Sequence, residues 1–299
     1  MQIAGKNVLI TGAARGIGAA TARELATRGA WLALVGLEPE ALAALATELG
    51  GAASTGAQSG GRHVWAEADV TDSAALQAAV AHAVTSLGGL DVVVANAGIA
   101  SVGTVRHINP ETFARTVDVN LTGVFRTVQT TLPHLMASRG HVLVVSSLAA
   151  LVPLAGSSAY GASKAGVAAF ADALRIEVAP QGVTVGCAHM SWIDTDMVRD
   201  AERHLPAFRE MRQRLPWPLR STTSAAAFGR AIERRSRRVN VPAVIGVCHW
   251  IHPLVHSQLA DALIARMSAD TITRQEAQIG ALGRTVSRQV AQHLVRRDQ

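Results

Sequence analysis

The sequence predicts a doubly wound α/β fold, a parallel sheet flanked by helices in a single domain with a helical C-terminal extension. Three observations predict it. Short apolar runs alternate with longer amphipathic ones from the first residues onward. The runs that read as strands are apolar throughout, the pattern of strands buried on both faces. Each run is followed by a stretch long enough for a crossover helix, and strict alternation implies a parallel sheet covered on both sides. With 299 residues, 49% hydrophobic and 17% charged, the chain can bury a sizeable core, which excludes a disordered protein.

Each element follows in order. NVLIT (7–11) is a strand, GIGAATARELATRGA (16–30) a helix and WLALVG (31–36) the second strand. EPEALAALATELG (38–50) is helical, with Pro39 suited to its first turn. GAASTGAQSGG (51–61) reads as a flexible surface connection. HVWAEADV (63–70) is the third strand, DSAALQAAVAHAVTSLG (72–88) a helix and DVVVANAG (91–98) the fourth strand. A long helix runs over 109–138, capped by Asn109 with Pro110 at its first position. HVLVVSS (141–147) and VTVGCAH (183–189) are strands five and six, with another helix between them. Beyond Asp194 the pattern loosens. One or two helices are expected before a final strand within RVNVPAVIGV (238–247), and a polar, loosely ordered tail from 271. Residues 1–200 make the ligand-binding core, and 201–270 add cleft helices, the last strand and the extension.

Charge and cysteine usage narrow the partners. Residues 1–194 carry 11 basic and 13 acidic side chains, and residues 195–299 carry 17 and 9, so the basic excess belongs to the last third. Its densest part, RAIERRSRR (230–238), has no interleaved aromatic residue or recognition motif, which argues against nucleic acid. A solvated helix face is the favoured reading, and contact with an anionic membrane the lesser one. The uncharged stretch Val239 to Ala260 contains Pro242 and Pro253 and is too interrupted for a transmembrane helix. It is expected to cover a substrate cleft or to form a subunit interface. Cys187 and Cys248 are the only cysteines, so a disulfide framework and a four-cysteine zinc site are excluded, and no metal site is predicted. The N-terminus shows no basic region followed by a long apolar run, so a cytoplasmic protein is expected.

The chemistry concentrates at the predicted strand ends. TGAARGIG (11–18) lies between a strand and a helix. Gly12 permits a tight turn, Gly16 lets the backbone approach a ligand, and Gly18 allows close helix–strand packing. The helix N-terminus then offers free N–H groups to a pyrophosphate. Asn96 of NAG (96–98) can bond neighbouring backbone, while Ala97 and Gly98 leave room for a ribose. Asp69 in ADVTD either accepts from an adenine amino group or simply serves a turn. SSAYGASKAG (157–166) holds Tyr160, the only tyrosine, and Lys164, one of two lysines among 28 basic residues.

These motifs, with Asn120 in VDVNLTG and Ser147 in VVSS, match in order and spacing those of the short-chain dehydrogenase/reductase family, which the sequence resembles over roughly residues 3–200. The resemblance implies a Rossmann-type fold and hydride transfer between a nicotinamide cofactor and a secondary alcohol or ketone. It also implies a homodimer or homotetramer, and the apolar C-terminal stretch suits a lipophilic small-molecule substrate. The implied catalytic set is Asn120, Ser147, Tyr160 and Lys164. Tyr160 is the general acid/base, Ser147 orients the substrate oxygen and Asn120 holds a proton-relay water. A free tyrosine, with a pKa of about 10, is a reluctant base at neutral pH. A cation one helical turn away favours the phenolate. Lysine can also bond the cofactor ribose and pass a proton onward, which arginine does not readily do. Ser146 rivals Ser147, but Ser147 has the family's spacing, thirteen residues before Tyr160.

The implied cofactor-binding set is Gly12, Arg15, Gly16, Ile17, Gly18, Asp69, Val70, Asn96, Ala97 and Gly98, together with Tyr160, Lys164, Ile193 and Thr195. Two departures stand out. MSWIDT (190–195) places Met190 and Ser191 where the family usually has Pro-Gly, while Ile193 and Thr195 keep positions that contact the nicotinamide carboxamide. The C-terminus is longer than usual, basic and then uncharged. Gly36 stands where NAD-preferring members carry Asp, and Arg15 is suited to a 2′-phosphate, so NADP(H) is favoured. Leu37 and the acidic Glu38 keep NAD(H) as the alternative. Two rival functions remain: a catalytically silent NAD(P)-binding regulatory or scaffold protein, and an epimerase or dehydratase on the same fold.

Overall fold

The computed structural model describes residues 1–50, 63–196, 198–199 and 219–282. The strands are β1 (Asn7–Thr11), β2 (Trp31–Gly36), β3 (His63–Glu67), β4 (Val92–Ala95), β5 (His141–Val145), β6 (Thr184–Met190), β7 (Ile193–Asp194), β8 (Leu219–Arg220) and β9 (Arg238–Val241). Seven of them form one sheet in the order β3-β2-β1-β4-β5-β6-β9, and every pairing is parallel. β7 and β8 pair separately.

The core follows from the two-residue period of strand side chains. Val8, Ile10, Leu32, Leu34, Val92 and Val94 point to one face, under α1 (Gly16–Thr27), α2 (Pro39–Glu48) and the helix Ser221–Arg234, whose Phe228 is fully buried. Leu9, Ala33, Val35, Val93, Val142 and Val144 point to the other, under α3 (Ser73–Leu87), α5 (Gly123–Ser138) and α6 (Ser158–Glu177). Both faces of the central strands are covered, so their middle residues are apolar. Each such side chain contributes about 1.5–3 kcal/mol through burial.

Asn109 caps its helix as expected, and Asp72 caps another. The Asp72 carboxylate accepts from the backbone N–H groups of Ala74 and Ala75, and Asn109 accepts from that of Glu111 at the head of α4 (Pro110–Val117). β3 and β4 end about three residues earlier than expected, because Ala68–Val70 and Asn96–Gly98 leave the ladder to line a cleft. The expected helix over 109–138 is two helices, α4 and α5, joined by the π-helical turn Asp118–Thr122. Its physical reason lies in Asn120, described below.

The basic run ends the helix Ser221–Arg234. Arg235 turns left-handed there (φ 50°) and donates to the carbonyls of Arg139, at 2.8 Å, and Gly140, at 3.3 Å. Arg237 lies 3.6 Å from the Asp172 carboxylate. The run is therefore partly spent on internal partners at a helix C-terminus, where cations are favoured. After β9 the chain makes two short helices, Gly246–Trp250 and His252–Val255, and then the helix Gln258–Leu282. That last helix takes in residues 271–282, the start of the stretch read from sequence as a polar tail; residues 283–299 lie outside the described residues. The connection 51–61 and most of the stretch from 197 to 218 also lie outside them. Among the described residues, no helix is long and apolar enough to cross a membrane.

Candidate active site

The strand order reverses between β1 and β4, and ligands of such sheets bind beyond the strand ends at that reversal. A cleft lies there, lined by Gly12, Arg15, Gly16 and Ile17 of the first turn, and by Asp69, Val70, Asn96, Ala97 and Gly98 of the next two. Tyr160, Lys164 and Thr195 close it on the far side. A Cβ on Gly12 (φ 64°) would lie 2.9 Å from Ala97 Cα, and one on Gly18 only 2.1 Å from the Gly12 carbonyl oxygen. Gly18 is thus demanded by packing and does not line the cleft. The close approach leaves the N-terminus of α1 open to an anion. Asn96 Nδ2 donates to the carbonyls of Thr11, at 3.0 Å, and Gly12, at 3.2 Å, while Thr11 Oγ1 accepts from the backbone of Asn96 and Ala97. The floor of the cleft is therefore fixed.

Two residues of this end have partners within the chain. Arg15 is paired with Glu38, which also lines the cleft, and both side chains are partly exposed. Asp69 serves its own turn: Oδ1 accepts from the backbone and hydroxyl of Thr71, both at 2.8 Å, and Oδ2 from Arg115 at 2.7 Å. Burial alone would raise the Asp69 pKa, but the Thr71 and Arg115 hydrogen bonds outweigh it and hold the carboxyl below its ordinary value. Sequence reasoning missed Arg115. It is 7% exposed and lines the cleft, and its signal was position: it falls three residues after the buried Thr112 on the inner face of α4.

At the chemical end Tyr160 stands where two clefts meet. The second is apolar, walled by Val102, Leu148, Leu154, Trp192 and Ile193, with Ser147 beside Tyr160. Ile193 and Thr195 therefore part company, one in each cleft. Ser147 Oγ accepts from the Ala149 N–H at 3.2 Å, whereas the rival Ser146 is 1% exposed and donates to the Lys164 carbonyl at 2.8 Å. Ser147, and not Ser146, lines the apolar cleft beside Tyr160. Lys164 Nζ lies 5.8 Å from the Tyr160 ring centroid and donates to the Val145 carbonyl at 2.9 Å.

Burial pushes Lys164 down to about 8. It pushes the Tyr160 phenol above its ordinary value, opposed by a hydrogen bond with Ser147. Loss of water disfavours phenolate and ammonium alike, so burial acts against the effect expected of the Lys164 cation. Asn120 is fully buried in the π-helical turn. Its Oδ1 accepts from the Ile99 N–H at 2.8 Å, and its Nδ2 donates to the Ile99 carbonyl at 2.9 Å and to Ser163 Oγ at 3.1 Å. The extra residue of the turn swings this amide inward, where it ties the loop after β4 to α6. Its side chain is thereby committed.

The segment from Val239 to Ala260 was expected over the substrate cleft or at an interface. Among the described residues, none of it lines either cleft, and it exposes Val247, Trp250 (87%) and Leu254.

Comparison with known proteins adds the family. The short chain dehydrogenase family model matches residues 6–206. The (-)-trans-carveol dehydrogenase of Rhodococcus erythropolis is 38% identical over 207 residues, 67% of this chain and 75% of that protein. A short chain dehydrogenase from Burkholderia cenocepacia, solved in complex with NADP, is 30% identical with a TM-score of 0.70, covering 80% of this chain and 97% of that one. A Burkholderia phymatum enzyme solved with NAD has a TM-score of 0.74 over 85% of this chain and 95% of its own; at 24% identity it speaks for the fold alone. The matched span takes in every motif that lines the crevice, from the glycine turn to Ser147, Tyr160 and Lys164. The chain belongs to the short-chain dehydrogenase family of NAD(P)-dependent oxidoreductases.

Proposed function

We propose that the enzyme interconverts a neutral, lipophilic secondary alcohol and its ketone, with Tyr160 as general acid/base. One observation carries this reading: Tyr160 lies at the junction of the nucleotide-type cleft and an apolar cleft, with Ser147 beside it. The glycine turn and Asn96–Gly98 fit a dinucleotide, because a side chain at Gly12 would fill the space between them. Gly12, Gly16 and Ile17 would hold its pyrophosphate, Asp69 and Val70 its adenine end, Lys164 a ribose, and Ile193 and Thr195 the carboxamide. When bound, the cofactor supplies or accepts the hydride. Tyr160 donates its proton to the carbonyl oxygen in reduction and takes it back in oxidation, while Ser147 holds that oxygen. A phenol with a raised pKa is protonated at neutral pH, the form that donates. A silent sensor would leave this arrangement without a use, and the epimerase or dehydratase alternative predicts no net cofactor turnover.

The choice of cofactor turns on Glu38. Its pairing with Arg15 neutralises the cation on which the NADP(H) reading from sequence rests, and it offers acceptors to ribose hydroxyls. The pair supports NAD(H). The enzyme is further proposed to be a homodimer or homotetramer. Phe113 and Phe125 on α4 and α5, and Leu259, Leu263 and Met267 on the last helix, are exposed apolar side chains of the kind that interfaces cover. The last helix carries Asp261, Arg266, Asp270 and Arg274, both signs of charge, which suits another copy better than an anionic membrane. Free cysteines at 187 and 248 suit a cytoplasmic setting.

Turnover of NADH and NADPH with a panel of neutral ketones and alcohols, followed by nicotinamide absorbance, tests the reading. Absence of turnover on every neutral ketone and alcohol sinks it, and a higher kcat/KM with NADPH reverses the cofactor assignment.

A further inference from the structure

The helix Gln258–Leu282 differs at its two ends. Its first half exposes Leu259, Leu263 and Met267, whereas Gln275 and Ile279 further along are 5% and 4% exposed. The buried end is fixed to loops that belong to the apolar cleft. Glu276 Oε1 accepts a hydrogen bond from the Thr104 hydroxyl at 2.9 Å and lies 3.4 Å from His107 Nδ1. Thr104 and His107 are themselves in contact at 3.1 Å. Gln275 covers Gly156: a Cβ on that glycine (φ 74°) would lie 2.4 Å from Gln275 Oε1. The two loops meet where the Gly103 N–H donates to the Gly156 carbonyl at 2.8 Å. Ser101 and Val102 on the first loop, and Leu154 and Ser157 on the second, line the cleft in front of Ser147 and Tyr160.

The geometry points to a clamp. We infer that Gln275 and Glu276 are positioning residues that hold the Gly103–Gly156 junction closed and so limit how bulky a substrate the apolar cleft admits. The junction itself has glycine on both sides, with no side chains to brace it. The helix supplies the brace through a hydroxyl–carboxylate hydrogen bond, of the charge-assisted kind, and a packed amide. Neither residue touches the reacting atoms. The inference rests on the reading that the apolar cleft takes the alcohol or ketone.

Full-length Glu276→Ala and Gln275→Ala test it by two readouts, amide hydrogen exchange and substrate selectivity. Thr104→Val deletes the same hydrogen bond from the loop side, and Glu276→Gln keeps an acceptor oxygen. The first three variants are expected to speed exchange of the Gly103 amide while leaving that of Ala13, in the nucleotide turn, unchanged. They should also lower the KM of a bulky ketone relative to a small one by about tenfold, the scale on which pocket shape discriminates. Cofactor affinity and kcat on the small ketone should hold, and Glu276→Gln should behave nearly as wild type. Unchanged Gly103 exchange in all three variants overturns the clamp. Faster exchange with an unaltered KM ratio overturns it too, since the residues would then be structural only. If wild type turns over no ketone or alcohol, the functional reading fails and the selectivity limit falls with it. Gly103 exchange then decides separately whether the helix closes the junction.

Discussion

The sheet core and the C-terminal segment 219–282 solve the problem of apolar side chains in opposite ways. In the core the central strands are covered on both faces, and chemistry is left to the strand ends, where Tyr160, Ser147 and the glycine turn converge. In the C-terminal segment, Phe228 and Ile232 are buried against the sheet, yet Trp250, Leu254, Leu259 and Leu263 remain exposed within the next forty residues. The matched family span ends at residue 206, before that segment begins. The shared part of the chain holds the residues proposed to make the reaction, while the proposed clamp residues, Gln275 and Glu276, fall to the remainder.

The comparison can be broken at several points. Tyr160→Phe should lower kcat by about 10²–10⁴-fold while cofactor affinity, followed by fluorescence titration, holds. Near-normal turnover would remove the core's claim to the chemistry. Phe228→Ala should destabilise by about 3–5 kcal/mol in urea unfolding, the cost of an aromatic cavity.

The core should also carry most of the pH dependence of stability. Burial, then the nearby Arg235 charge, pushes His141 down to about 3, and burial, with His249 beside it, pushes His189 to about 4. Both stay neutral in the fold, whereas the unfolded chain takes up protons below about 6.5. Stability should therefore be intact above that pH and fall as acid approaches the folded values, by a few kcal/mol in all, at about 1.4 kcal/mol for each tenfold difference in proton affinity between the folded and unfolded chain. Thermal melts across this window should show the fall. It should flatten in His141→Asn. Glu38→Gln should then move preference towards NADPH by roughly tenfold, about 1.4 kcal/mol for one lost like charge. Leu263→Ser, at the exposed end of the last helix, should change monomer stability by no more than about 0.5 kcal/mol. Its readout is a shift towards smaller species in sedimentation.

What was legible in the sequence was whatever a local pattern determines. NVLIT, WLALVG and HVLVV had to be strands because nothing polar interrupts their middles, and Asn109 announced the helix it caps. The crevice was legible because its motifs sit at strand ends. Pairings across the chain were not. Arg15 meets Glu38 across 23 positions and Arg115 meets Asp69 across 46, and neither contact has a periodic signature. The last helix escaped notice for a related reason. It buries one side of its second half and leaves apolar residues exposed on its first, so no single stripe runs its length.

The turn at Asp118–Thr122 has one more consequence. A π turn contains one residue beyond what an α-helix needs, so a chain shorter by one residue here could wind α4 and α5 into an unbroken helix with its ladder complete. Nothing in local hydrogen bonding would object. Phase would survive, because the widened turn already absorbs the rotation of about 100° that one more residue brings. Arg115, bonded to Asp69, and the buried Thr127 on α5 can face inward together for that reason. What would be lost is the bulged turn that carries the Asn120 amide to Ile99 and Ser163. The helix gives up regular winding to seat one side chain.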